Sequence, residues 1–286
     1  MERFTFVSIG LAVALVAVGA RAQDARTWPD KPVHIVVPLT AGSATDVMAR
    51  MVAKQLGEQL SLPFIVDNKP GAGGTIGTGA VARAKPDGYT LLVQSASYTV
   101  TPITYPNTQY DTQRDLMGVT PLGLLPQALV ISPTKGIDSV QKLIAAAKAK
   151  PGTLNYGSAG VGTANQLNAE RFRIGAGIDA VHVPFKGTPE ALTDLPTTLE
   201  LGVPNSDYNF WVGLFLPSGT PREIVQKLYA ETAKAIDSPE LRAGMSQLGA
   251  EASLVEPDAY NLQLKKDIAD NAALVKAAGI PINGGQ

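Results

Sequence analysis

The groups best placed for chemistry in this chain are backbone amides. Two Gly-rich turns, Leu39-Thr40-Ala41-Gly42-Ser43-Ala44 and Gly157-Ser158-Ala159-Gly160-Val161-Gly162-Thr163, each follow an apolar strand-like run and precede a helical pattern. At such a junction the first N–H groups of the helix lack partners, and the positive end of its dipole favours a bound anion. Loops at the carboxyl ends of strands are also where open α/β sheets hold ligands. Glycine equally serves just to turn the chain, and the residues alone leave both readings open. Neither turn is a nucleotide motif: in the further run from Gly71 to Gly79, Ile76 occupies the third glycine position, and no Gly-Lys-Ser/Thr follows.

Side chains offer less. Ser132-Pro133-Thr134-Lys135 has the S-x-x-K spacing in which a lysine can activate a serine nucleophile, but the S-D-N and K-T-G elements are absent. The two histidines, His34 and His182, both sit inside strand-like runs and are expected to be structural. With 0 Cys, disulfides, thiolate metal sites and thiol nucleophiles are excluded, and two imidazoles cannot make a three-His metal site. Charge is balanced, 24 Lys plus Arg against 25 Asp plus Glu, so no basic field exists to attract nucleic acid. Trp28 and Trp211 could stack on a ring, although core or hinge packing is the commoner role. The faces carrying Glu223, Lys227, Glu231 and Lys234 are expected to be solvated helix surface.

The elements that must position the two turns are short strands alternating with amphipathic helices. Val33–Val37 is a β-branched run bounded by prolines; Thr45 or Asp46 can cap a following helix bearing Val47, Met51, Val52, Leu56 and Leu60. Strands are expected at 64–66 and 89–93, giving an alternating lobe with a mainly parallel sheet. A second cycle follows: strand 128–131, helix 140–150, strand 154–156, a helix capped by Thr163, strand 180–183, and a short helix with Ala191 and Leu192. From Pro221 onward the pattern is helical, at 222–235, 239–248 and 257–278. Before all this, Met1-Glu2-Arg3, the uncharged run 4–20 and Ala20-Arg21-Ala22 read as a secretory signal peptide, residues 1–22. Its most apolar part is too short to span a bilayer, so an exported, soluble product is expected.

Trp28-Pro29-Asp30-Lys31-Pro32, the 42–46 turn, Val66-Asp67-Asn68-Lys69-Pro70-Gly71-Ala72-Gly73-Gly74, Pro86-Asp87-Gly88-Tyr89-Thr90-Leu91-Leu92, and Trp211–Phe215 with Pro217-Ser218-Gly219-Thr220-Pro221 together resemble the Bug (TctC-like) family. Stretches 154–167 and 181–194 match it too. These are periplasmic solute-binding proteins of tripartite tricarboxylate transporters. The resemblance implies an α/β, two-lobed periplasmic binding protein type II fold, with lobe 1 at 23–127 and 211–286 and lobe 2 at 128–210. It implies a monomer that binds a small organic carboxylate, meets the large and small membrane subunits of the transporter, and carries no enzymatic step, cofactor or metal. Carried over by position, the ligand-binding residues are Thr40, Ala41, Gly42, Ser43 and Asp46 in one lobe and Ser158, Gly160, Gly162 and Thr163 in the other, with Gly73 and Ser95 lining the cleft.

Three departures from the family pattern stand out. Ser43 replaces a second glycine, and Gln166 stands where a histidine is common. After Leu195 the chain passes directly into Pro196-Thr197-Thr198-Leu199-Glu200-Leu201-Gly202, omitting a strand, helix and return strand of the second lobe. Lost strands would bare apolar sheet and unpaired backbone groups. A binding-impaired relic, a partner that presents solute to a sensor, and a secreted serine hydrolase using Ser132 and Lys135 are therefore the competing readings.

Overall fold

The computed structural model describes residues 27–125, 127, 129–132, 135–185, 210–280 and 282. In chain order the elements are β1 (Val33–Val37), α1 (Ala44–Leu60), β2 (Phe64–Asn68), α2 (Thr75–Ala82), β3 (Thr90–Ser95), α3 (Thr101–Thr104), α4 (Thr112–Asp115), β4 (Leu116–Leu125), α5 (Val140–Ala149), β5 (Leu154–Ser158), α6 (Ala164–Ala176), β6 (Ala180–Pro184), β7 (Phe210–Pro217), α7 (Arg222–Asp237), α8 (Pro239–Gln247), β8 (Glu251–Ala252) and α9 (Pro257–Ala278). Single 3-10 turns sit at Ala72–Gly74 and Ala96–Thr99.

Two sheets result. The larger has the order β2-β1-β3-β7-β4-β8, and the smaller pairs β5 with β6. β1 runs parallel to both β2 and β3, as strand–helix–strand crossovers require, and β5 runs parallel to β6 in the same way. β7 returns antiparallel between β3 and β4, and every one of its residues is buried. The main core gathers along this sheet, where Trp211, Phe215 and Tyr260 pack with ring centroids 5.8–6.3 Å apart. Trp28 lies in the same core, tilted against Tyr89, so both tryptophans are packing residues.

Helix α1 docks on this sheet through Met48, Val52 and Leu56, spaced one turn apart and all fully or nearly fully buried. The long α9 begins with Pro257 at its first position and reaches from β4 to α6. Near its far end Val275 and Ile280 join Val100 and Leu167 in a small second core. Burying one such leucine contributes about 1.5–3 kcal/mol.

Several expectations are corrected. The helix cap is Ser43, not Thr45 or Asp46, because its extended backbone leaves its hydroxyl free to accept the Asp46 N–H. Residues 129–131 form no strand, and Leu129 is exposed. The strand that matters instead is β4. Lys227 is no free surface charge, since its ammonium donates to the Trp28 carbonyl. Ala128, the Pro133-Thr134 pair, the segment with Ala191 and Leu192 and the Leu195 junction lie outside the described residues.

Candidate functional site

The loops after β1 and β5 are built alike. In each, a left-handed glycine (Gly42, φ 81°; Gly162, φ 75°) precedes a hydroxyl cap in extended backbone, Ser43 or Thr163. Ser43 Oγ accepts the Asp46 N–H at 3.3 Å, and Thr163 Oγ1 the Gln166 N–H at 3.5 Å. Four residues after each glycine a side chain folds back onto it. Gly42 N–H donates to Asp46 Oδ2 at 2.9 Å, and Gly162 N–H to Gln166 Oε1 at 2.7 Å. One jaw thus carries a built-in carboxylate and the other a neutral amide.

Asp46 is 2% exposed and heavily bonded: Arg50 Nε approaches both oxygens at 3.1 Å, and Asn68 Nδ2 donates to Oδ1 at 2.8 Å. Burial alone would raise its carboxyl, but the bonds from Arg50, the Gly42 N–H and Asn68, with the Arg50 charge, outweigh it and hold the group below the usual carboxylate range. With that acid satisfied, the N–H groups of Ala44 and Thr45 at the start of α1 have no partner among the described residues, and the buried Thr45 hydroxyl has none either. Ala41 and Gly42 are exposed beside them.

The second turn is buried and tied to the first sheet. Ala164 N–H, the counterpart of Ala44 N–H, donates to Ser97 Oγ at 3.1 Å, and Ser95 Oγ bonds Ser97 Oγ at 3.0 Å. A side chain at Gly73 would meet the Val161 carbonyl at 2.8 Å, and one at Gly162 would meet Thr104 Oγ1 at 2.3 Å. Both glycines are therefore required by close approach as well as by positive φ. Farther along α6, Asn271 of α9 accepts from Arg171 at 3.1 Å and donates to Thr99 at 2.9 Å.

Behind this turn lies a half-buried polar chain. Gly162 N–H can only donate, so the Gln166 oxygen faces it and the amide NH2 points at His182 Nδ1, 3.1 Å away. Nδ1 must then accept, which leaves the ring proton on Nε2, 2.6 Å from Ser158 Oγ. A histidine already protonated on that nitrogen cannot take the serine's proton, so this Ser–His pair is the wrong tautomer for nucleophilic catalysis. Tyr156 stacks on the ring at 4.9 Å and donates to Glu170, which Arg173 pairs at 2.7 Å. Burial lowers the His182 pKa, with Glu170 opposing, so the ring is neutral at rest.

The structure therefore brings together Gly73, Ser95, Ser158, Gly160, Gly162 and Thr163, and places Thr40, Ala41, Gly42, Ser43 and Asp46 at the other helix start. Of the amides in these turns, those of Gly42, Gly160 and Gly162, and that of Ala164 at the start of α6, serve the protein's own side chains. The sequence did not single out Ser97, Thr104 or Arg50; it named Ala44 as part of the first turn and Thr45 as a cap, whereas what both offer is a main-chain amide. The hydroxyl-rich Ser95-Ala96-Ser97-Tyr98-Thr99 directly after a strand was the signal available.

A family model described as the tripartite tricarboxylate transporter family receptor matches residues 48–196 and 190–280. The chain belongs to this family. Among relatives of this receptor, a Pseudomonas sp. protein from the tcbD-tcbE intergenic region is 31% identical over 294 residues, covering 88% of each chain. The protein BugT of Bordetella pertussis is 30% identical, covering 95% of this chain and 96% of its own. The solved periplasmic binding protein BugD superposes with a TM-score of 0.80 at 27% identity, over 89% of this chain and 99% of its own. An R. palustris protein solved with adipate gives 0.83 at 28% identity, over 89% and 99% of the two chains. MatC from Rhodopseudomonas palustris, with bound malate, gives 0.77 at 26% identity, over 87% and 100%. The receptor has the two-lobed fold of these periplasmic binding proteins. Its alignment with the Pseudomonas protein, at 294 residues, is longer than its own 286, so the relative has residues that it lacks. The family match breaks at residues 190–196, where the sequence places the missing segment. Among the described residues no helix is long and apolar enough to cross a membrane.

Proposed function

We propose that this receptor, exported to the periplasm by residues 1–22, captures a small organic carboxylate and delivers it to the large and small membrane subunits of a tripartite transporter. The observation that carries the reading is the start of α1. There the amides of Ala44 and Thr45 stand unpartnered among the described residues beside the exposed Ala41 and Gly42, in a chain whose relatives were solved with adipate and malate. A carboxylate is the guest those donors suit, because helix-start amides bind an anion without needing an arginine. In this reading the second turn, against which Gly73 and the Ser95–Ser97 pair pack, faces the same guest from the other lobe.

A second reading, impaired binding, has its own support. The small sheet leaves Val181 and Val183 of β6 48% and 37% exposed, as expected of a lobe that has lost strands. Calorimetric titration and thermal-shift screening with adipate, malate, citrate and amino acids separate the two. Saturable binding with a rise in melting temperature, and no conversion of the acid, supports the receptor. A folded protein that is indifferent to every acid supports the impaired form.

A further inference from the structure

We infer that His182 couples carboxylate capture at the second turn to the uptake of a proton. The inference rests on the second turn being part of the ligand site. In the resting arrangement Gly162 N–H is occupied by Gln166 Oε1, and Gln166 spends its NH2 on His182 Nδ1. Protonating the ring places an N–H on Nδ1, donor against donor. The conflict is relieved when the Gln166 amide turns over, so that its oxygen accepts from Nδ1–H. The NH2 then faces Gly162 N–H, and the buried glycine amide loses its acceptor.

An incoming carboxylate supplies what that state lacks. Its oxygens accept from both Gly162 N–H and the turned Gln166 NH2, and its charge lies close to the new imidazolium. Proton and anion therefore each favour the binding of the other, and linkage makes the coupling reciprocal. Among the described residues the titratable groups facing the ring are Tyr156 of β5 and Glu170 of α6, the latter paired with Arg173; Tyr156 and Ser158 hold the ring in place. Gln166 is the enabling residue, because an amide can present either a donor or an acceptor to each neighbour as it turns.

The sign follows. Burial holds the His182 pKa down in the free protein and the bound anion raises it, so affinity climbs as pH falls between the bound and free values. The slope there approaches roughly tenfold per pH unit, and the curve is flat on either side.

Adipate and malate are the probes, titrated between about pH 6 and 8, where their carboxyls stay ionised. Calorimetry in two buffers of different ionisation enthalpy counts the protons taken up. Imidazole nitrogen NMR reads the ring directly, and with only 2 His in the chain, His34→Gln assigns both signals. The expected result is the Nε2–H tautomer in the free protein, conversion to the doubly protonated ring on adding the acid, and net proton uptake. Gln166→Glu keeps an acceptor for Gly162 N–H while giving Nδ1–H a second oxygen, so it should protonate His182 without any guest, weaken binding and abolish the pH dependence. Binding with constant affinity and a ring that stays neutral would overturn the inference and leave the receptor function intact. A folded protein that binds none of adipate, malate, citrate and the amino acids at any pH in the range overturns both.

Discussion

Replacing Gly162 by alanine tests whether the second turn is seated on α3 in solution. The substitution has two separable costs. At φ 75° an alanine sits in left-handed backbone, which costs about 1–2 kcal/mol. Its Cβ would also lie 2.3 Å from Thr104 Oγ1, 3.2 Å from Thr104 Cβ and 3.5 Å from Thr104 Cγ2, and overpacking of this kind costs about 1–3 kcal/mol. The sum, about 2–5 kcal/mol, should appear in urea denaturation as a lower midpoint with an unchanged slope. Thr104→Ala removes both outer atoms, leaving only the 3.2 Å contact and the backbone strain. Among the described residues Thr104 Oγ1 otherwise bonds only the Val100 carbonyl, at 3.3 Å, within its own turn. In the Thr104→Ala background, Gly162→Ala should therefore cost about 1–2 kcal/mol less than in the wild type, a coupling typical of residues in contact. Equal costs in the two backgrounds, within about 0.5 kcal/mol, would show that the turn does not rest on α3 and would refute the reasoning.

Asp46→Asn should destabilise by about 2–4 kcal/mol, because an amide placed among donors leaves one of them unmet; the half-exposed Arg50 contributes only a screened share. Since the Asp46 pKa is depressed on folding, its stabilisation is present above the unfolded carboxylate value and lost as pH falls through the folded one. The midpoint of the wild type should accordingly drop in that acid window, and that of Asp46→Asn should drop less. Ser97→Ala leaves the Ala164 N–H without its acceptor and should cost about 1–2 kcal/mol, read as faster hydrogen exchange at that amide. Leu167→Ala opens a cavity in the small core it shares with Val275 and should cost about 2–5 kcal/mol by thermal unfolding, with no direct effect at the start of α1.

The parts of this fold legible in the chain were those with a local cause. Val33–Val37 and Pro257–Ala278 have the bounds the pattern predicts, because a β-branched run between prolines and a Pro-started, Gly-ended helix are each complete signals in themselves. β4 escaped because Gly118, Pro121 and Gly123 interrupt its alternation, and the strand absorbs them through register shifts at Gly118/Thr120 and Pro121/Gly123. The two Gly-rich turns announced themselves for the same local reason. Their partners did not: Ser97 reaches Ala164 across 67 positions and Thr99 reaches Asn271 across 172, and no periodicity encodes such a meeting. The shared Gly-(Ser/Thr)-Ala-x-(Asp/Gln) arrangement was present in the residues, but its meaning lies in the fourth side chain curling back, which only the fold displays.

The way Ile280 nests beside Leu167 and Val100 has a practical corollary for anyone making the protein. Clipping the tail back past that isoleucine would loosen the joint between the halves as well as fray the last helix, since the Ala278 carbonyl also receives Arg173. Purification handles therefore belong ahead of the solvent-facing Thr27, or beyond Ile282 on a generous spacer.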